Sequence, residues 1–233
     1  MSAFDPATYL PDDLLARVHE RAAIHDRENT FPEADLAELK AAGYLSILVP
    51  KDRGGAGLGL AEAAALQSRL AAAAPATALA INMHLVWTGV AKVMRDRGVD
   101  DLVGSDTDAA PDPDGGYRFT GTKIFTSLAP VWTRMGLHGL DTTSPDGPWM
   151  VYAFIDRPEA DAGDAASIVT RDDWNTVGMR GTQSRTTELH AAYAPANRVA
   201  RRVAPGPNPD PIVFGIFSAF EILLAAVYDG IGA

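Results

Sequence analysis

The sequence predicts an α+β protein: an N-terminal helical bundle, an antiparallel β-barrel or sandwich-like middle domain, and the start of a C-terminal helix. Three observations carry this reading. Up to about residue 104 the apolar residues recur at helical spacing in alanine-rich segments; from Tyr117 they fall into short alternating runs; from Pro211 the chain is almost continuously apolar. The expected divisions are 1–104, 105–204 and 205–233.

Taken in order, residues 8–29 read as a first helix, with Asp12 and Asp13 near its start and Leu14, Leu15, Val18 and Ala22 toward one side. The second helix restarts with Thr30 as its candidate cap, continues through Leu36, Leu39 and Lys40, and stops at Gly43. "SILVPKDRGGAGLG" follows and reads as a tight packing turn, since no strand–glycine–helix unit surrounds it. "LAEAAALQSRLAAAA" is a strong helix former that Pro75 breaks. "TALAINMHLVWTGVAKVMRDRG" gives the next helix, with Thr77 as cap, Gly98 as stop, and no uninterrupted apolar run of membrane length. An acidic, turn-rich linker leads to the strand region. There "YRFTG" and "TKIFTS" read as two short strands joined by a turn. "WTRMGLHGL", "WMVYAFI", "ASIVTRD" and "RTTELHAAYAP" follow as further strands. The last apolar helix needs something to cover it.

The bulk numbers exclude several functions. With 233 residues, 47% of them hydrophobic, the chain is long and apolar enough to bury a core. A formal net charge of -10 argues against nucleic acid and against an anionic membrane surface as partners. No cysteine is present, so disulfides, thiolate catalysis and cysteine-ligated metals are out. The five histidines, His19, His25, His84, His138 and His190, show no metal-ligand spacing, so no metal site is expected. The opening "MSAFDPATYLPDD" lacks a basic stretch followed by an apolar run, so the cytoplasm is the expected compartment.

Three stretches stand out: "FPEADLAELKAAGYLSILVPKDRGGAGLGL", "GGYRFTGTKIFTS" and "WNTVGMRGTQSRTTELHAAYAPANRV". In order and composition they resemble the acyl-CoA dehydrogenase superfamily, specifically its branch of flavin-dependent oxidoreductases and hydroxylases. That resemblance implies FAD, or FMN, held between the middle β-domain and a C-terminal helical bundle. It implies that Phe125, Thr126 and Ser127, following Lys123, form the shelf for the flavin ring, with the aromatic bordering the ring and the hydroxyl at its reactive edge. His84 is the candidate catalytic residue, since a helix histidine of the N-terminal domain faces the substrate in some members of the branch. Arg180 is expected to brace the β-domain through backbone carbonyls. Glu159, Asp161, Asp164, Asp172 and Asp173 read as solvated surface.

Two departures from the family pattern are visible. Between Arg97 and Tyr117 the path resembles the loss of one helix and one strand, including a flavin-contacting loop. The chain also ends inside what resembles the first helix of the bundle, where the family's dehydrogenase base lies. The implied function is flavin-dependent oxidoreduction: α,β-dehydrogenation of an acyl thioester, or hydroxylation of a small aromatic substrate, impaired by the missing parts. "TSLAPVWTRM" leans toward the hydroxylating branch. The alternative is a non-catalytic remnant or partner-binding module of the same family. A homo-oligomer or a partner chain engaging the C-terminal helix is expected in either case.

Overall fold

A computed structural model describes residues 4–96, 108–159, 163 and 167–233. The order of elements is α1 (Asp12–Glu28), α2 (Glu33–Ala41), α3 (Leu60–Ala73), α4 (Pro75–Asp96), β1 (Asp108–Pro111), β2 (Tyr117–Thr126), β3 (Arg134–Asp141), β4 (Trp149–Asp156), β5 (Ile168–Thr170), β6 (Arg185–Ala194), β7 (Val199–Val203) and α5 (Pro211–Gly232). The protein is α+β, with a helical N-terminal region, a middle β-region and a C-terminal helix. The expected loss of a helix and a strand falls mostly on residues 97–107, outside the described residues.

The chain divides into two compact units: Met1–Lys92 with Trp174–Gln183 and Phe217–Ala233, and Val93–Asp173 with Ser184–Ile216. In the helical unit, Leu14, Val18, Leu39, Leu66, Leu70, Ile81 and Leu85 are buried, as is Tyr44. The core contains a short polar chain: Tyr44 donates to Gln67 Oε1 at 2.6 Å, and Gln67 Nε2 donates to Asn82 Oδ1 at 2.8 Å. A second buried polar point is Asp35, which accepts from Arg21 Nε and Thr77 Oγ1, each at 2.7 Å. Such groups lose their water on folding and are held by these bonds, with Asn82 Nδ2 left without a hydrogen-bond partner among the described residues.

The expected caps need correction. Thr77 lies inside α4 and spends its hydroxyl on Asp35. Pro75 opens the helix, where a missing N–H costs nothing. Thr30 likewise caps nothing; its hydroxyl meets His25 Nδ1 at 3.2 Å, and Pro32 takes the N-cap position of α2. The glycine-rich loop is the packing turn expected of it. Gly57 N donates to the Val49 carbonyl at 2.8 Å, and a Cβ on Gly55 would lie 2.1 Å from that same oxygen.

From Phe217 onward, α5 packs one face into the helical unit. Ala219, Leu223 and Val227 are buried, a Cβ on Gly89 of α4 would lie 3.4 Å from the Ala219 Cβ, and Gly230 sits against Ser68 of α3. The opposite side leaves Phe217, Phe220, Tyr228 and Ile231 exposed. Among the described residues α5 is the one helix long and apolar enough to cross a membrane by length and composition, with mean hydropathy 2.0 and a third of that window buried.

The β-unit is one seven-stranded sheet, in the order β5-β6-β2-β1-β3-β4-β7. Its core is Phe119, Leu137, Val151, Ala153, Ile155, Leu189, Ala192 and Ala194. The end strands β5 and β7 each pair on one side, so the sheet is open rather than a closed barrel. Two expectations change. The neighbours are antiparallel except for β1 and β3, which meet in parallel at Asp108 and Leu140. And "YRFTGTKIFT" is one ten-residue strand rather than a hairpin. Gly121, at φ 156, takes up a register shift inside it instead of turning the chain.

Candidate functional site

The end of β2 is built on a bulge. Lys123 pairs with Thr187 and Thr126 with Arg185, so Ile124 and Phe125 together face the single residue Thr186. Phe125 takes φ 57, a left-handed conformation that an aromatic residue seldom adopts. The extra residue breaks the alternation of the strand. Lys123 is buried, but Ile124 and Phe125 are both outward, 67% and 66% exposed. A regular strand would put Phe125 on the same face as Lys123.

Beyond the bulge the chain turns at once. Ser127 N donates to the Phe125 carbonyl at 2.8 Å, and Leu128 follows at φ 63. Val131 N and Trp132 N both donate to the Leu128 carbonyl at 2.9 Å. Arg157, just after β4, fastens this turn. Its guanidinium donates to the carbonyls of Ala129 and Pro130 and lies 4.4 Å above the Trp132 ring. Burial pushes its pKa down from the usual arginine value. Just before the neighbouring strand β6, Ser184 Oγ meets Ser127 Oγ at 2.8 Å. The structure thus gathers Phe125, Thr126 and Ser127 into one ledge: an exposed aromatic, two half-buried hydroxyl residues and a second serine behind them.

His84 lies on α4 in the helical unit. Its Nε2 is 2.7 Å from the Leu45 carbonyl, which has no proton to give, so Nε2 carries the hydrogen and Nδ1 is the open nitrogen. Burial holds its pKa below the ordinary histidine value, against the opposing effect of that hydrogen bond. The ring is neutral near pH 7.

Arg180 braces a loop, as expected, though within the helical unit rather than the β-unit. Its guanidinium donates to Asn175 Oδ1 at 2.7 Å and to the Thr176 carbonyl at 3.1 Å. Asn29, the left-handed C-cap of α1, ties the same loop by donating to the Trp174 carbonyl at 2.7 Å, and Gln183 Nε2 donates back to the Asn29 carbonyl at 2.9 Å. Of the acidic residues, Asp172 pairs with Arg185 at 3.0 Å and Asp173 accepts from Thr186 N at 3.0 Å. Asp161 and Asp164 lie outside the described residues. Among the described residues no three acidic or histidine side chains are grouped to hold a metal ion.

Sequence reasoning missed Ser184 and Arg157. Neither has a motif of its own; the register of β6 against β2 and the path after β4 bring them to the ledge. It also missed Asp141, buried at the end of β3. Asp141 accepts from the backbone N–H and hydroxyl of Thr143, both at 2.8 Å, and from those of Ser144.

Comparison with known proteins fits this architecture. The model of the acyl-CoA dehydrogenase N-terminal domain matches residues 13–95. The chain is 26% identical to L-evernosamine nitrososynthase of Micromonospora, over 97% of this chain and 59% of that protein. It is 30% identical to dibenzothiophene monooxygenase of Rhodococcus qingshengii, over 90% of this chain and 55% of that protein. It therefore spans a little over half the length of these relatives. The first alignment runs over 256 positions against a chain of 233 residues, so at least 23 positions of that relative have no counterpart here. Among solved structures, KijD3 in complex with FMN and a dTDP-amino-keto sugar superposes with a TM-score of 0.82 at 24% identity, covering 98% of this chain and 62% of that one; at that identity the likeness is one of fold. Residues 13–95 thus match an acyl-CoA dehydrogenase N-terminal domain, and the chain as a whole is similar to a nitrososynthase and a monooxygenase.

Proposed function

We propose that this chain provides the β-domain part of a flavin site and serves a flavin-dependent oxidoreductase of the acyl-CoA dehydrogenase type, in its oxygenating rather than its thioester-dehydrogenating form. The observation that carries this reading is the bulge at Ile124–Phe125, which turns an aromatic side chain out of the sheet beside the hydroxyls of Thr126 and Ser127. The residues fit the group. Phe125 offers apolar surface to the face of a planar ring, and the hydroxyls and the turn beyond them offer polar atoms to its edge. FMN and FAD share that ring, so the ledge accepts either.

Bound reduced flavin supplies two electrons, with which O2 gives one oxygen atom to a substrate and the other to water. The chain's own residues hold the ring, fix its edge and keep water from one side of it. A proton-moving role for His84 falls to Nδ1, because Nε2 is committed to Leu45. The names of the relatives, a dibenzothiophene monooxygenase and an amino-sugar nitrososynthase among them, support oxygenation of a small molecule over acyl-thioester chemistry.

Titration of the purified chain with FMN and FAD, followed by visible absorbance and flavin fluorescence, tests the reading. Saturable uptake is expected, weakened roughly fivefold or more by Phe125→Ala. No uptake by the unaltered chain, or equal uptake by the variant, refutes it. A second reading, a partner-binding module without flavin turnover, is favoured by the exposed Phe217, Phe220, Tyr228 and Ile231 on α5. Light scattering checks it: self-association that Phe217→Glu abolishes, in a chain that takes up no flavin, is its signature.

A further inference from the structure

We infer that Arg157 is the seat of an oxyanion, a phosphate or carboxylate group carried by a small ligand at the ledge. The first support is a missing counter-charge. The chain carries a formal net charge of -10, yet the carboxylate next to Arg157 in sequence, Asp156, is spent on Arg134 at 2.6 Å and on Arg198 at 3.3 Å. Among the described residues no carboxylate pairs with Arg157. Burial lowers its pKa, and no acidic neighbour opposes that shift. A guanidinium keeps its charge all the same, so Arg157 is a half-buried cation whose lost water is offset by two carbonyls and a ring alone. Charges withdrawn from water are ordinarily met by an opposite charge.

The second support is a guanidinium held still with one edge unspent. Nη1 donates to the Pro130 carbonyl at 3.0 Å and Nη2 to that of Ala129, the Trp132 ring lies 4.4 Å away, and the Arg157 N–H is anchored on the Thr133 carbonyl at 2.9 Å. Nε makes no bond to the protein and is not sealed from solvent. Donation from Nε and an adjacent Nη is the geometry that meets two oxygens of one carboxylate or phosphate, and a plane fixed beforehand loses less freedom on binding. The gripped carbonyls lie two and three residues past Ser127, so the seat borders the ledge. A ligand with a flat ring against Phe125 and an anionic arm suits both.

The test has two arms, the first of which needs no flavin. The full chain, labelled with nitrogen-15, is titrated with inorganic phosphate while the arginine Nε–H signals are followed, with sodium chloride at matched ionic strength as the control for screening. The signal that is missing from Arg157→Gln, or from Arg157→Lys should the first variant not fold, is expected to move saturably with a midpoint of roughly 1–10 mM, and chloride to leave it in place. The second arm compares uptake of FMN and riboflavin, which differ only in the phosphate. If the flavin brings the oxyanion, FMN is held at least roughly tenfold more tightly, and Arg157→Gln brings that ratio close to one. A merely structural role for Arg157 would weaken both flavins alike and leave the ratio unchanged. A ratio near one in the unaltered chain, with phosphate still moving the Arg157 signal, supports the seat and assigns its oxyanion to a ligand other than the flavin. An Arg157 signal that responds to phosphate no more than to chloride, together with no FMN preference or one that survives in Arg157→Gln, overturns the inference. Uptake of neither flavin while the Arg157 signal saturates with phosphate refutes the flavin reading alone.

Discussion

Replacing Gly230 by alanine sets two effects of opposite sign against each other. Within a helix, alanine is favoured over glycine by about 1 kcal/mol, so an α5 that made no close contact would gain stability. In the structure, a Cβ at Gly230 would lie 2.0 Å from the Ser68 carbonyl oxygen and 2.9 Å from the Ala71 Cβ. The first contact is with backbone, which cannot rotate away, so the helix itself has to move by roughly 1.5 Å to reach ordinary packing distance. Overpacking of this kind costs about 1–3 kcal/mol and sometimes more. It would also disturb the bond from Ser68 Oγ to Asp229 Oδ2, 2.8 Å long. A backbone contact this short puts the cost at the upper end, about 3 kcal/mol, so the expected net loss after the alanine gain is about 2 kcal/mol, which for a chain of this length lowers Tm by roughly 4–8 °C. Thermal unfolding followed by far-UV circular dichroism reads it directly. Gly232→Ala is the control, since a Cβ there meets nothing within 4 Å. A Tm for Gly230→Ala that rises, or matches the control, would show that α5 does not lie against α3 as described.

Three other outcomes are expected. Burial raises the Asp141 pKa, but the donors of Ser144 and Thr143 outweigh it and leave it below the usual carboxylate value. Its contribution to stability is therefore present above about pH 4 and lost as pH falls through the lower, folded-state pKa; Asp141→Asn should lose about 1–3 kcal/mol in neutral urea unfolding and show less of that acid-side decline. His84 binds protons more weakly folded than unfolded, so stability should fall as pH drops below about 6.5 and level off beneath the folded-state pKa; His84→Gln, which keeps a donor for Leu45, should flatten that slope in unfolding measured between neutral and mildly acid pH. Arg157→Lys should loosen the turn after Ser127, because one ammonium cannot reproduce both carbonyl contacts and the stacking on Trp132; faster amide exchange at Val131 and Trp132, with slower-exchanging β4 amides unchanged, is the measurement.

The helices were legible because alanine-rich, punctuated segments need little tertiary help to be recognised. Leu60–Ala73 and Pro75–Asp96 carry their own periodicity, and Pro75 marks the boundary between them. The caps were less so, because a threonine hydroxyl near a helix start has other partners: Thr77 chose a buried carboxylate from another helix. β1 was illegible for a different reason. "DAAP" has no intrinsic taste for a strand, and it is extended because the backbone groups of β2 from Tyr117 to Thr120 need a partner on that edge. At the ledge, the residue types at 125–127 could be picked out, but their geometry could not. Strict alternation puts Phe125 beside Lys123 on one face, and nothing in the letters announces a phenylalanine at positive φ or the serine that register brings opposite Ser127.

The helical unit is closed by pieces that the ribosome delivers late. Its first stretch ends at Lys92, yet Asn29 finds its partner in Trp174, 145 residues on, and Ser68 waits for Asp229, 161 residues on. Helical domains usually fold quickly because their contacts are local. Here the last contacts of the early helices are among the most distant in the chain, so those helices emerge with one flank unsealed and stay so until the sheet has been made. A nascent chain halted before Trp174 would hold its helices without their clasp, and one halted before Phe217 would leave Gly89 and Ser68 facing water. Closure of the helical unit thus waits on the synthesis of α5, and proteases that sample open helices have until then to act.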